Sequence, residues 1–181
     1  MLEQIVTHFN QHVDLTSQSI ELLAAPIHDS ASMLCQSMLT QNTVLCAGSL
    51  HSTRIADQFC CYMQHHYQHE RPALPCVSLC DVDTDHLISN LTALGKPGDS
   101  LLFFKHPDCN TNITQLITTC EQLNIHAIIC GGLHVAQNNF KNTQNCISIP
   151  SEDAMSVMQV QYVIMHTLCS LIDYQLFNHQ G

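Results

Sequence analysis

Apolar and polar positions are laid out in blocks along this chain. Five short runs are apolar almost throughout: Thr43–Ala47 (TVLCA), Pro75–Leu79 (PCVSL), Ser100–Phe104 (SLLFF), Ala127–Cys130 (AIIC) and Cys146–Ile149 (CISI). Gly, Pro, Asp or Asn bound each of them. Strands covered on both faces read this way, so the pattern predicts a parallel sheet buried between helices. The intervening segments have helical spacing. Ile5, Phe9, Val13 and Ile20 form a stripe on a first helix, and a second is expected from about Pro26 to Leu39, with the proline in its first turn. Further helices are expected at Ser52–His66, Asp85–Leu94, Thr111–Leu123 and Asp153–Phe177, the last capped by Asp153. This last helix carries Val157, Val160, Val163, Ile164, Leu168, Leu171 and Ile172, an apolar surface wide enough for its own core and a partner. Strands alternating with helices define an α/β class, a five-stranded parallel sheet flanked by helices in three layers, preceded by an N-terminal helical pair.

Composition narrows the possibilities. The 181 residues suit one domain, and 45% apolar against 11% charged residues excludes a disordered chain. No apolar run reaches the ~18–20 residues that span a bilayer. The start, MLEQIVTHFNQHVD, does not read as a signal peptide, so a cytoplasmic protein is expected. Five Lys+Arg against fifteen Asp+Glu leave a net charge of −10. That balance argues against direct nucleic-acid binding and against anionic membranes. The eleven cysteines are odd in number, lack any C-x-x-C and sit mostly in apolar stretches; reduced core thiols are expected. Cys76 and Cys80 with a nearby histidine make only a weak metal motif, and no metal or other cofactor is expected.

In open α/β sheets ligands bind beyond the carboxyl ends of the strands, at helix N-termini. The first such turn is Gly48-Ser49-Leu50-His51-Ser52. Its glycine and two hydroxyls suit a phosphate, but they suit equally a tight strand-to-helix turn with Ser52 as the N-cap.

The stretch VLCAGSLHSTRIADQFCCYMQHHYQHERPALPCVSL, together with KPGDSLLFF, CISIPS and the terminal LCSLIDYQLFNHQ, resembles the sugar isomerase (SIS) domain. Within it, the chain is most similar to the branch of sedoheptulose 7-phosphate (phosphoheptose) isomerases and DnaA initiator-associating proteins. The resemblance covers nearly the whole chain. It implies one SIS domain over 1–181, with helices in 1–40 and the α/β core in 41–181, assembled as a homotetramer. What is left of the family's sugar-phosphate site is expected to be a remnant made of Gly48, Ser49, Ser52, Asp81, Lys105 and Thr111.

Departures from the family pattern fall on its chemistry. The isomerases carry a glutamate base in a pattern similar to H-F-A-E-E; here the run is Gln58-Phe59-Cys60-Cys61-Tyr62, so Tyr62 stands for the glutamate. A phenol with an ordinary pKa of ~10 is a poor carbon base at neutral pH. The Q-E-x-H pattern of the last helix becomes Met158, Gln159 and Gln161, and only the distal histidine, His166, remains. Gln58, Tyr62, Met158 and His166 would be a poor zinc set. His166 is the one weak catalytic candidate and reads equally well as a packed histidine. The Ser-rich phosphate loop becomes Lys105-His106-Pro107-Asp108-Cys109-Asn110-Thr111, in which Pro107 lacks an N–H and Asp108 adds an anion. Asp81 matches an acidic pocket position, crowded by Asp83 and Asp85. The connection between the second strand and KPGDSLL is about a dozen residues shorter than the family's, which removes lid material.

Three functions compete. The first is a non-catalytic SIS protein that binds a DnaA-type initiator and regulates chromosome replication. The second is an isomerase with substitute residues, and the third is a module that binds sugar phosphate without turnover. For the first, the resemblance places the contact on Leu176 and Phe177, a Leu-Phe pair closing the last helix. The alternative is that both fold back onto the core.

Overall fold

In the computed structural model, residues 1–79, 83–137 and 144–178 are described. Helix α1 (Leu2–Leu39) leads into β1 (Val44–Gly48), α2 (Thr53–Gln64), β2 (Cys76–Ser78), α3 (Thr84–Leu94), β3 (Ser100–Phe104), α4 (Ile113–Leu123), β4 (His126–Gly131), β5 (Gln144–Ser148) and α5 (Ala154–Phe177). The five strands are all parallel, in the order β2-β1-β3-β4-β5. Alternation along each strand fills two separate cores. Val44, Cys46, Leu102, Phe104, Ile128 and Cys130 face α1, α2 and α5. Leu45, Ala47, Leu101, Phe103, Ala127 and Ile129 face α3 and α4. Both sides are therefore covered, the reason the strands read as continuous apolar runs.

The expected N-terminal helical pair is instead a single 38-residue helix that runs through Pro26. Proline removes one i→i−4 bond and costs about 3 kcal/mol in a helix interior. Packing outweighs that cost here. Leu23, Ala31, Leu34 and Cys35 are buried on one side of the helix, and Asn145 of β5 donates from Nδ2 to Pro26 O (2.7 Å) and Ser30 Oγ (2.8 Å). The other element boundaries shift by a residue or two from the sequence reading. Asp153 caps α5 as expected, its carboxylate accepting from Ser156 N.

By length and composition α5 is apolar enough to cross a membrane. In the fold its apolar residues Val157, Val160, Ile164, Leu168 and Ile172 lie in the core beside α1 and α2, and its buried Gln161 and Asp173 are hydrogen-bonded to other elements. Between β3 and its preceding helix, buried Asp99 accepts from Thr43 N and Lys96 N, both at 2.8 Å. This carboxylate fixes the entries of β1 and β3 side by side. Their carboxyl ends, where a ligand would sit, are thereby held in register.

Candidate functional site

The carboxyl ends of β1 and β3 bring Gly48, Ser49, Ser52 and Lys105 together. Gly48 is required by close approach: a Cβ there would lie 2.4 Å from the Ser52 carbonyl oxygen. Leu50 is held in the left-handed region at φ 49°, a conformation that costs a non-glycine residue roughly 1–2 kcal/mol. Strained turns of this kind cluster at functional sites.

The polar groups of the turn are, however, already committed to the protein. Ser49 Oγ accepts from His106 N at 2.8 Å, and Ser49 N donates to Phe104 O. Ser52 Oγ donates to Gln161 Oε1 at 2.9 Å instead of capping α2. Gln161 Nε2 donates in turn to Lys105 O (3.0 Å) and Cys130 O (3.1 Å). Ser49, Ser52 and Gln161 are all essentially without solvent exposure. Gln161 is thus a hub joining α5 to the ends of β1, β3 and β4. The sequence reading recorded it only as a replaced ligand position; a buried amide on an apolar helix was the available signal.

The loop after β3 is similarly turned inward. Lys105 Nζ donates to Cys109 O (2.9 Å) and His106 O, and burial lowers its pKa despite the nearby Cys109 and Asp108. His106 is buried, and its Nδ1 accepts from Asp108 N, which places the neutral ring's proton on Nε2. Burial likewise lowers the His106 pKa, opposed by Asp108 and aided by His51 and Lys105. Thr111 Oγ1 lies 3.2 Å from Cys109 Sγ, just before the Asn112 cap of α4. Asp81 lies outside the described residues. Its neighbour Asp83 caps α3, accepting from His86 N.

His166 lies apart from this turn, in an aromatic cluster. Its ring centroid is 5.7 Å from that of Tyr62 and 5.5 Å from that of Tyr67, and the two tyrosines are 5.1 Å apart. Gln58 Nε2 donates to the Tyr62 hydroxyl at 2.8 Å. His166 Nδ1 is buried and without a hydrogen-bond partner among the described residues. The described residues do not gather three His, Cys, Asp or Glu side chains where a metal could bind. Cys76 packs against Cys60, with 3.0 Å between sulfurs, and Cys80 lies outside the described residues.

The C-terminal pair is half-buried. Leu176 packs on the edge of the α1/α2/α5 core. Phe177 lies under the Arg71 guanidinium, 5.8 Å from its ring centroid. The Arg71 side chain itself is fully buried. Its Nε donates to Asp173 Oδ1 at 2.6 Å, Nη2 to Tyr62 O and Nη1 to Met63 O and Pro72 O. One side chain from the ERPALP motif thus ties the end of α2 to the last turns of α5.

Comparison with known proteins agrees with this architecture. No family model matches the chain. It is 29% identical over 191 residues to a phosphoheptose isomerase of Colwellia psychrerythraea, covering 98% of this chain and 97% of the relative. It is 27% identical over 197 residues to the DnaA initiator-associating protein DiaA of Photorhabdus laumondii, covering 99% of both. A solved phosphoheptose isomerase from Francisella tularensis superposes with a TM-score of 0.85 at 22% identity, over 95% of this chain and 97% of that one. The fold is that of the solved phosphoheptose isomerase, and the chain is similar over nearly its whole length to curated proteins of two kinds. Its relatives include both isomerases and an initiator-associating protein.

Proposed function

We propose that this is a non-catalytic SIS-domain protein of the cytoplasm that binds a DnaA-type initiator and so regulates the start of chromosome replication. The observation that carries the proposal is the internal closure of the would-be phosphate turn. Ser49 and Ser52 spend their hydroxyls on His106 N and Gln161, and Gln161 spends its amide on Lys105 O and Cys130 O. A phosphate entering there would have to break these bonds in a buried site. In the separate His166 cluster, Tyr62, hydrogen-bonded by Gln58, stands at the position where the family resemblance places a carboxylate base. Loss of a positioned general base costs ~10²–10⁴ in rate. The expected result is no turnover of sedoheptulose 7-phosphate above background by the purified protein. Robust turnover would establish the isomerase reading instead.

The proposal includes a homotetramer built on α1 and α5. In the first turns of α1, Phe9 and Val13 are 68% and 64% exposed. Nearer the core, Ile20, Leu23, Val160, Val163 and Leu171 line an apolar groove of about 330 Å³ between α1 and α5. Most of the stability of a helix within a protein comes from packing its apolar face. A second copy offers such packing, since a self-complementary apolar stripe pairs with itself about a two-fold axis. Sedimentation at micromolar concentration is expected to give four chains; a species of one chain, 20.2 kDa, would refute this.

A further inference from the structure

Three thiols meet where α2 packs on the sheet edge. Cys60 of α2 and Cys76 of β2 are each 3% exposed, and their sulfurs lie 3.0 Å apart, inside van der Waals contact. Cys46 of β1 lies beside them and hydrogen-bonds the Cys60 sulfur. Each of the three is a free thiol. Neither the SIS chemistry nor the initiator contact uses them.

We propose that Cys60 and Cys76 are a site of covalent modification, forming an intramolecular disulfide when the protein meets a hydroperoxide. The geometry supplies both halves of the reaction. Only a small approach separates the two sulfurs from bonding distance. Neighbouring thiols, Cys46 first and then Cys76, favour the Cys60 thiolate and pull its pKa below the ordinary thiol range. Burial holds Cys76 in its thiol form.

The steps balance. The Cys60 thiolate takes one oxygen from the peroxide, whose other oxygen leaves as hydroxide and becomes water with the proton Cys60 gave up. Cys76 then attacks the Cys60 sulfur, the S–S bond forms as the S–O bond breaks, and the departing hydroxide takes the Cys76 proton as a second water. The two sulfurs lose two electrons and the peroxide gains them. Access is given by the edge of the sheet. β2 is a three-residue edge strand, Val77 is 40% exposed, and short edge strands open locally before the core does.

The bond would close a ring through residues 60–76. That segment carries Tyr67 of the aromatic cluster and Arg71 of the α5 clasp. Oxidation would therefore fasten the part of the molecule that braces the C-terminal helix.

The test is to treat the folded wild-type protein with hydrogen peroxide, quench, denature, alkylate the remaining thiols and map a peptic digest by mass. The expected result is loss of two alkylatable thiols, one Cys60–Cys76 linked peptide pair, and recovery of both thiols with dithiothreitol. Cys61→Ser, on the exposed face of α2, should leave the link unchanged, whereas Cys60→Ser and Cys76→Ser should each abolish it. If every thiol stays alkylatable, or the link runs through Cys61, through Cys46 or between chains, the proposal is overturned. The wild-type map decides this even if a serine variant folds poorly.

Discussion

Arg71→Ala is expected to destabilise the protein by about 3–5 kcal/mol, because it leaves the buried Asp173 carboxylate without its partner. The two side chains are 0% and 4% exposed, so water cannot take over the lost bonds. Asp173 Oδ2 has no hydrogen-bond partner among the described residues, which leaves Arg71, bonded to Oδ1, as the support for that charge. Three carbonyl acceptors, of Tyr62, Met63 and Pro72, would lose their donor in the same step. For a chain of this size the melting temperature should fall by roughly 10 °C. Arg71→Met combined with Asp173→Leu should cost much less than Arg71→Ala, since an apolar pair removes both charges together. Chemical denaturation of the three proteins checks this. A loss below about 0.5 kcal/mol in Arg71→Ala, the range of ordinary surface changes, would show that the clasp is not structural.

Leu176→Ala with Phe177→Ala carries the largest expected effect on binding. The pair sits half-buried at the end of α5, beside the 50% exposed Tyr174. An aromatic braced by a buried guanidinium loses little conformational freedom on docking, and such residues are favoured as hot spots. Repetition on each subunit of an oligomer adds avidity for several initiator copies at once. The double variant is expected to weaken initiator binding by about 30-fold or more, equivalent to ~2 kcal/mol. Because both residues are only partly covered, the cost in stability should stay near ~1–2 kcal/mol. Interferometry with immobilised protein, alongside sedimentation and thermal unfolding, separates the two effects. Undiminished binding would move the contact elsewhere, and early unfolding or dissociation would make the pair structural.

The fold was largely legible because its signals are local. Buried parallel strands announce themselves as apolar runs, and Asp153 before an apolar helix reads as a cap. Pro26 misled for a physical reason: propensity places proline at a helix start, whereas packing of Leu23, Ala31 and Leu34 carries α1 straight through it. At the candidate site, sequence reading found the turn residues but not their partners. Ser52 meets Gln161 across 109 positions and Arg71 meets Asp173 across 102. Nothing in the local pattern encodes contacts at such range, so Gln161 reads as a replaced ligand and Arg71 carries no assigned role. Thr111 was drawn into the pocket by its place in the loop, yet its hydroxyl pairs with Cys109.

The most direct test of a non-catalytic, initiator-binding role is a titration of purified full-length DnaA onto the immobilised wild-type protein, in the absence of DNA. Saturable binding with a Kd of about 1 μM or tighter, equivalent to ~8 kcal/mol, is the predicted result. No saturable binding up to tens of micromolar, on the order of 6–7 kcal/mol, would contradict it.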